Sequence, residues 1–237
     1  MVRLYLFAEG QTEQTFADTL IKPHLAQYNV FMNKPVLIAH ARKKGKVHRG
    51  GGWNYIPMKD DIIRFLKQDQ AEDVFFTTMI DLYALHAGFP GLAESENMRY
   101  NPFERVEFLE QKFADDIHDR RFIPYLQLHE YEAYLFSDPD CFKYLDAEND
   151  RGISALHDIA NQYESPELIN DGSDTAPSKR IITQFPDYEK SKSTFGPQLA
   201  EQIGLQSIRH QCQHFHNWLT QLESLDDTSR SSGTEQT

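Results

Sequence analysis

Sulfur, basic charge and long apolar runs are all scarce in this chain, and each scarcity removes a class of protein. Cysteine occurs only at Cys141 and Cys212, with no C-x-x-C pair, among 237 residues. Neither a disulfide framework nor a thiolate zinc site is expected, and a reducing cytoplasm suits the chain. No apolar run approaches the ~20 residues that span a bilayer, so no membrane attachment is expected. The apolar opening that ends at Glu9-Gly10 is too short for a signal peptide and meets no small-residue cleavage site. Neither G-x-x-x-x-G-K-[ST] nor G-x-G-x-x-G occurs, so the chain is not itself expected to be the nucleotide-hydrolysing partner of a complex. Lys and Arg number 24 against 36 Asp and Glu, a net charge of −12. That argues against a general nucleic-acid coat protein, whose footprint is basic. It does not argue against an enzyme that meets phosphates through bound metal ions.

What is present is ample core material: 40% hydrophobic residues, with 16 Phe and 11 Tyr. Disorder of the whole chain is excluded. Val2–Ala8, Pro35–Ala41, Asp73–Ile80 and Phe122–Leu128 read as buried strands. Thr12 to about Tyr28, with Thr12 as N-cap, Tyr55–Leu66 and Phe103–Asp119 carry apolar residues at helical spacing. Strands alternating with helices predict an α/β fold with a mostly parallel sheet flanked by helices. Beyond Tyr131 the pattern is mainly helical, clearest at Leu199–Ile203 and Cys212–Leu222. The expected division is an α/β catalytic core over 1–137, a helical extension over 138–225 packed on it, and a disordered tail, Asp226–Thr237. That tail holds three acids and one base, so it does not explain the acidity.

Three of the four expected strands stop at an acid: Glu9, Asp81 and Glu130. In an open parallel sheet, ligands bind at the carboxyl ends of the strands. If these strands are neighbours, the three acids share one crevice. Glu13 follows Glu9 by one helical turn, and Glu132 follows Glu130 by two, on the same side if the chain stays extended. Five carboxylates in one crevice call for a hard divalent cation, Mg²⁺ or Mn²⁺. Ordinary helix caps or solvated loop residues are the competing reading of each acid taken alone.

Ala-Glu-Gly-Gln-Thr-Glu (8–13) resembles the V-E-G-x-T/S-E opening of Toprim nucleases, especially the overcoming-lysogenization-defect type. Met79-Ile80-Asp81-Leu82-Tyr83 sits where Toprim domains carry D-x-D, with Tyr83 in place of the second aspartate. Residues 128–136, L-H-E-Y-E-A-Y-L-F, resemble the H-E-F-E-A-L-L-F segment of a bacterial family of unknown function with a Toprim-like fold. That family also shows a glycine-rich loop, here Gly50-Gly51-Gly52, and a late A-P-S-K-R segment, here Ala176–Arg180. The resemblance to this family runs to about Leu225; that to Toprim proper covers the first 135 residues or so. It implies that Glu9 is a metal ligand or general acid/base and that Asp81 is the first aspartate of D-x-D. It also implies that Glu130 and Glu132 supply the missing charge, and that an ABC-type ATPase from a phage-defence locus is the partner.

Lys179, opening a helix-like stretch, is the candidate cation for the transition state, and Arg180 competes with it; surface capping is an equal reading for both. Arg42, Lys43, Lys44, Lys46 and Arg49 form a basic block, read either as a flexible loop holding a nucleic-acid backbone or as solvated surface. His129 is expected to pack against the sheet. His210, His214 and His216 lack a further ligand and are expected to pack or lie on the surface. The leading expectation is a metal-dependent Toprim-like nuclease acting on DNA or RNA, with Glu9, Asp81 and Lys179 catalytic and Glu9, Glu13, Asp81, Glu130 and Glu132 holding metal. The alternatives are an inactive regulatory subunit of an ATPase complex, or a phosphohydrolase acting on a small nucleotide. Self-association stays open.

Overall fold

The computed structural model describes residues 1–43, 46–49, 54–86, 88–169 and 175–226. In chain order, β1 (Val2–Ala8) leads into α1 (residues 11–26), a continuous helix whose middle, Ala17–Ile21, widens into a π turn. Then come β2 (Val30–Met32), β3 (Val36–Leu37), β4 (Ala39–Lys43), β5 (Lys46–Arg49) and α2 (Tyr55–Gln68). β6 (Val74–Asp81), α3 (Pro102–Ile117), β7 (Phe122–Ile123) and β8 (Leu126–Gln127) complete the α/β part.

β1 and β6 form the centre of the sheet, paired parallel from Arg3↔Val74 to Ala8↔Met79. β2 and β3 both pair parallel with the outer side of β1, and β7 and β8 do the same along β6. Six strands therefore run in four parallel tracks. Each outer track is broken near a proline, Pro35 or Pro124, which has no N–H to give the ladder. The expected single strand Phe122–Leu128 is thus two short ones. Thr78 repairs that gap: its hydroxyl donates to the Tyr125 carbonyl at 3.0 Å and accepts the Tyr125 N–H at 2.9 Å.

Side chains of β1 alternate between two cores, as the pleat requires. Leu4 and Leu6 join Phe16, Leu25, Phe215 and Trp218, while Phe7 joins Ile62, Leu66, Val106 and Phe113. α2 and α3 therefore cover one face, and α1 with the C-terminal helices covers the other. Those later helices are α4 (Asp150–Ala160), α5 (Pro177–Gln184), α6 (Lys192–Ile203), α7 (Leu205–Gln211) and α8 (Gln213–Glu223). Trp218 on α8 donates its indole N–H to Thr77 Oγ1 at 2.9 Å, and that hydroxyl donates to the Ile123 carbonyl at 2.6 Å.

Three local expectations are corrected. Gly10, not Thr12, is the N-cap of α1. The strand expected over Pro35–Ala41 leaves the sheet after Leu37, and β4 pairs antiparallel with β5. Much of the stretch read as a basic loop is therefore a hairpin that satisfies its own backbone groups, which strand pairing permits without apolar side chains. Lys44 and the glycines Gly50–Gly52 lie outside the described residues, as does the expected tail except for Asp226. Asp226 is buried and accepts from the N-terminal ammonium at 2.9 Å.

Thr78→Val removes both bonds at the Pro124 break and strands a buried N–H. It is expected to cost about 1–3 kcal/mol in urea unfolding, with the secondary structure retained.

Candidate functional site

The chain order places the acids. β1 and β8 both flank β6, so the residues following Ala8, ending β6 and following Leu128 meet at one edge of the sheet. Glu9 keeps its N–H in the ladder, bonded to the Met79 carbonyl at 3.0 Å. Its carboxylate reaches across to accept the Asp81 N–H at 2.9 Å. Gly10 donates its N–H to Glu13 at 2.8 Å, fixing Glu13 inside the first turn of α1. A Cβ at Gly10 would stand 2.9 Å from that same oxygen, so a larger residue there would require the Glu13 carboxylate to shift. At the end of β8, His129 takes a left-handed φ of 66°, rare for a non-glycine residue, and swings the chain so that Glu130 follows at the edge. Glu130 accepts the backbone N–H of Ser178 from the first turn of α5.

The chain does not stay extended after Glu130. It coils into a 3₁₀ helix, Tyr131–Ser137, and Glu132 is buried there, 3.4 Å from the Lys192 ammonium at the start of α6. Glu132 reaches the group from a helix, not from the extended strand that its spacing implied. Asp81 ends with one carboxylate oxygen buried and without a hydrogen-bond partner among the described residues.

Electrostatics tie the acids together. Burial, followed by the charges of Glu132 and Glu130, raises the Glu9 carboxyl to about 7 despite the Asp81 N–H that favours its anion. Glu13 rises to about 7 through burial and then the Glu9 charge. Glu132 also rises to about 7, through burial and the Glu130 charge, with Lys192 opposing. Asp81 is pushed well up by burial and by all four glutamates. The edge thus concentrates negative charge in a desolvated place, with oxygen as its only donor type. Even so, among the described residues no three His, Cys, Asp or Glu side chains stand together as a ready-made metal cage.

The other candidates sort differently. Lys179 is exposed on α5, one residue past the Ser178 N–H that binds Glu130. Arg180 bonds the Thr175 carbonyl at 2.6 Å and the Tyr163 hydroxyl at 3.1 Å. Arg42, Lys43, Lys46 and Arg49 lie on the β4–β5 hairpin. His129 is buried with its imidazole depressed to about 4 by burial and Arg105, and its ring lies 5.6 Å from that of Tyr83. His214 is buried against Glu110 at 3.0 Å and stacks on Tyr125. Lys192, the cation that touches the acids, carried no motif in the sequence, and only its helix position reveals it.

Glu9, Glu13 and Glu132 are held at about 7 against an ordinary value of 4.5, so between those limits the folded chain binds more protons than the unfolded one. Stability of the metal-free protein is therefore expected to fall as pH rises through that window and to level off above it. Chemical denaturation from pH 4.5 to 8 checks this, and Glu13→Gln should make the decline shallower.

The chain belongs to the family described as "Domain of unknown function (DUF4276)", which matches residues 8–223. No curated protein matches it. Among solved structures it is similar to the C-terminal region of the Burkholderia pseudomallei OLD protein, at 13% identity and a TM-score of 0.45, covering 94% of this chain and 98% of that one. It is also similar to the C-terminal region of the Xanthomonas campestris pv. campestris OLD protein, at 11% identity and a TM-score of 0.35, covering 93% and 97%.

Proposed function

For this member of the family, we propose a divalent-metal-dependent, Toprim-like nuclease that cleaves phosphodiester bonds of DNA or RNA. The observation that carries the reading is the convergence of Glu9, Asp81 and Glu130 at the carboxyl edge of adjacent parallel strands, with a buried oxygen of Asp81 left unpartnered. The donors fit a hard cation, since all are carboxylate oxygens. Mg²⁺ does not require a closed cage of protein ligands, because it usually keeps several waters and takes only one or two carboxylates beside substrate phosphates. Such an ion would supply neutralisation of phosphate charge and an acidified water.

Glu9 and Asp81 are the principal ligands in this reading, with Glu13, Glu130 and Glu132 completing the negative field. Lys179 and Lys192 are the cations on the two helices that contact the acids, and either can offset charge building on a phosphate. Arg42, Lys43, Lys44, Lys46 and Arg49, with Arg180, would hold the nucleic-acid backbone without reading its sequence. The family resemblance adds an ABC-type ATPase partner and a place as effector in phage defence. Among the described residues, no helix is long and apolar enough to cross a membrane. A second reading, an inactive regulatory subunit of the same ATPase complex, is favoured by Tyr83 standing where an acid is expected.

The purified chain with Mg²⁺ or Mn²⁺ is expected to cut DNA or tRNA, and Glu9→Gln and Asp81→Asn are each expected to reduce cleavage to background. Cleavage that survives both unchanged would sink the site. No cleavage and no metal binding, even with the ATPase present, would support the regulatory reading. Lys179→Ala and Lys192→Ala separate the two cations, the functional one costing about 10²–10³-fold in rate. Replacing Lys43 or Lys46 by Ala should weaken nucleic-acid binding across all sequences and reduce the salt slope by about 1 each.

A further inference from the structure

Behind the acids lie two groups that the proposed chemistry does not use. The hydroxyls of Tyr131 and Tyr188 are buried and have no hydrogen-bond partner among the described residues. Both rings are well packed: Tyr131 edge-on to Phe16 at 5.4 Å, and Tyr188 edge-on to Phe142 at 6.4 Å. Packing explains the rings but not the oxygens. A phenylalanine would fill either ring site without the cost of desolvating a hydroxyl, which is about 1–3 kcal/mol when it goes unpaired.

Where these oxygens sit suggests what they serve. Both phenols feel the charges of Glu13 and Glu132, and Tyr188 also feels Glu130. A Cβ at Gly196 would lie 3.0 Å from the Tyr188 oxygen, 3.2 Å from the Tyr131 ring and 3.2 Å from the Thr12 methyl. The two tyrosines, the first turn of α1 and the middle of α6 therefore meet at one point beside the acids. A phenol oxygen can accept from a cation-bound water, which donates outward, while its O–H donates to a carboxylate, so two phenols beside excess acids suit a hydrated cation.

We infer that Tyr131 and Tyr188 are outer-sphere positioning residues of the crevice: their hydroxyls hold the waters that a bound divalent cation keeps, and through them orient Glu13 and Glu132. This rests on the reading of the acidic edge as a hard-cation site. Neither phenol touches the ion or the reacting atoms. Each fixes groups that do.

Tb³⁺, an oxygen-seeking probe whose luminescence is sensitised by nearby tyrosine, tests this on the full chain, with Mn²⁺ calorimetry beside it. Tyr131→Phe and Tyr188→Phe are each expected to weaken binding of both ions about 10–100-fold. Their metal-free thermal midpoints should be unchanged or higher, because each loses only an unpaired hydroxyl. Gly196→Ala, which crowds the Tyr188 oxygen without removing it, should weaken binding in the same direction and provides a variant that keeps both phenols. Asp81→Asn should abolish binding and so identify the site being measured. Affinities within twofold of wild type in both folded Phe variants overturn the inference and leave the metal reading standing. Wild-type protein that binds neither ion, or binding that survives Asp81→Asn, overturns both.

Discussion

Keeping several carboxylates close together, Glu13 and Glu132 buried and Glu9, Asp81 and Glu130 half-buried, is the constraint around which this fold is arranged. An isolated buried carboxylate is costly, and its neighbours make it worse. The edge tolerates the group because each of the four glutamates is pinned by a different piece of backbone or by one cation, and only Asp81 keeps an unpartnered oxygen among the described residues. Glu9 accepts from Asp81, Glu13 from Gly10 and Glu130 from Ser178, while Glu132 faces Lys192. These partners come from β6, α1, α5 and α6, so elements far apart in sequence must all be in place before the acids are tolerable. A weakness in any of them is felt at the edge.

The sheet supplies the rigidity that this needs. β1 and β6 are long, parallel and buried on both faces, and their ends are what bring Glu9 and Asp81 together. The flanking tracks are short and interrupted, and the threonine pair on β6 holds one of them together with help from Trp218. The hydroxyls at Thr77 and Thr78 lie four and three residues before Asp81. The strand that carries the central acid is therefore tied by its side chains both to the outer track and to α8.

Much of this was legible in the sequence because its signals are local. Val2–Ala8 is the same strand in both views, and Asp73–Ile80 differs from β6 by one residue at each end, since continuous apolar runs mark strands buried on both faces. The acids at strand ends were legible for the same reason. What escaped was set by long-range partners or single backbone angles. The breaks near Pro35 and Pro124 depend on which neighbour needs an N–H. The turn at His129 depends on one positive φ. Lys192, Tyr131 and Tyr188 acquire meaning only when α6 and the 3₁₀ segment pack against α1. Gly10 displaced Thr12 as cap because Glu13, three residues on, reaches back to accept the Gly10 N–H.

Gly196 has a consequence of another kind. A Cβ there would meet the Thr12 methyl, the Tyr188 oxygen and the Tyr131 ring, so α6 and the first turn of α1 approach each other closely at this point, next to Glu13. A displacement of α6 by the width of one methyl group would move Lys192 relative to Glu132 while leaving the pairing of β1 with β6 untouched.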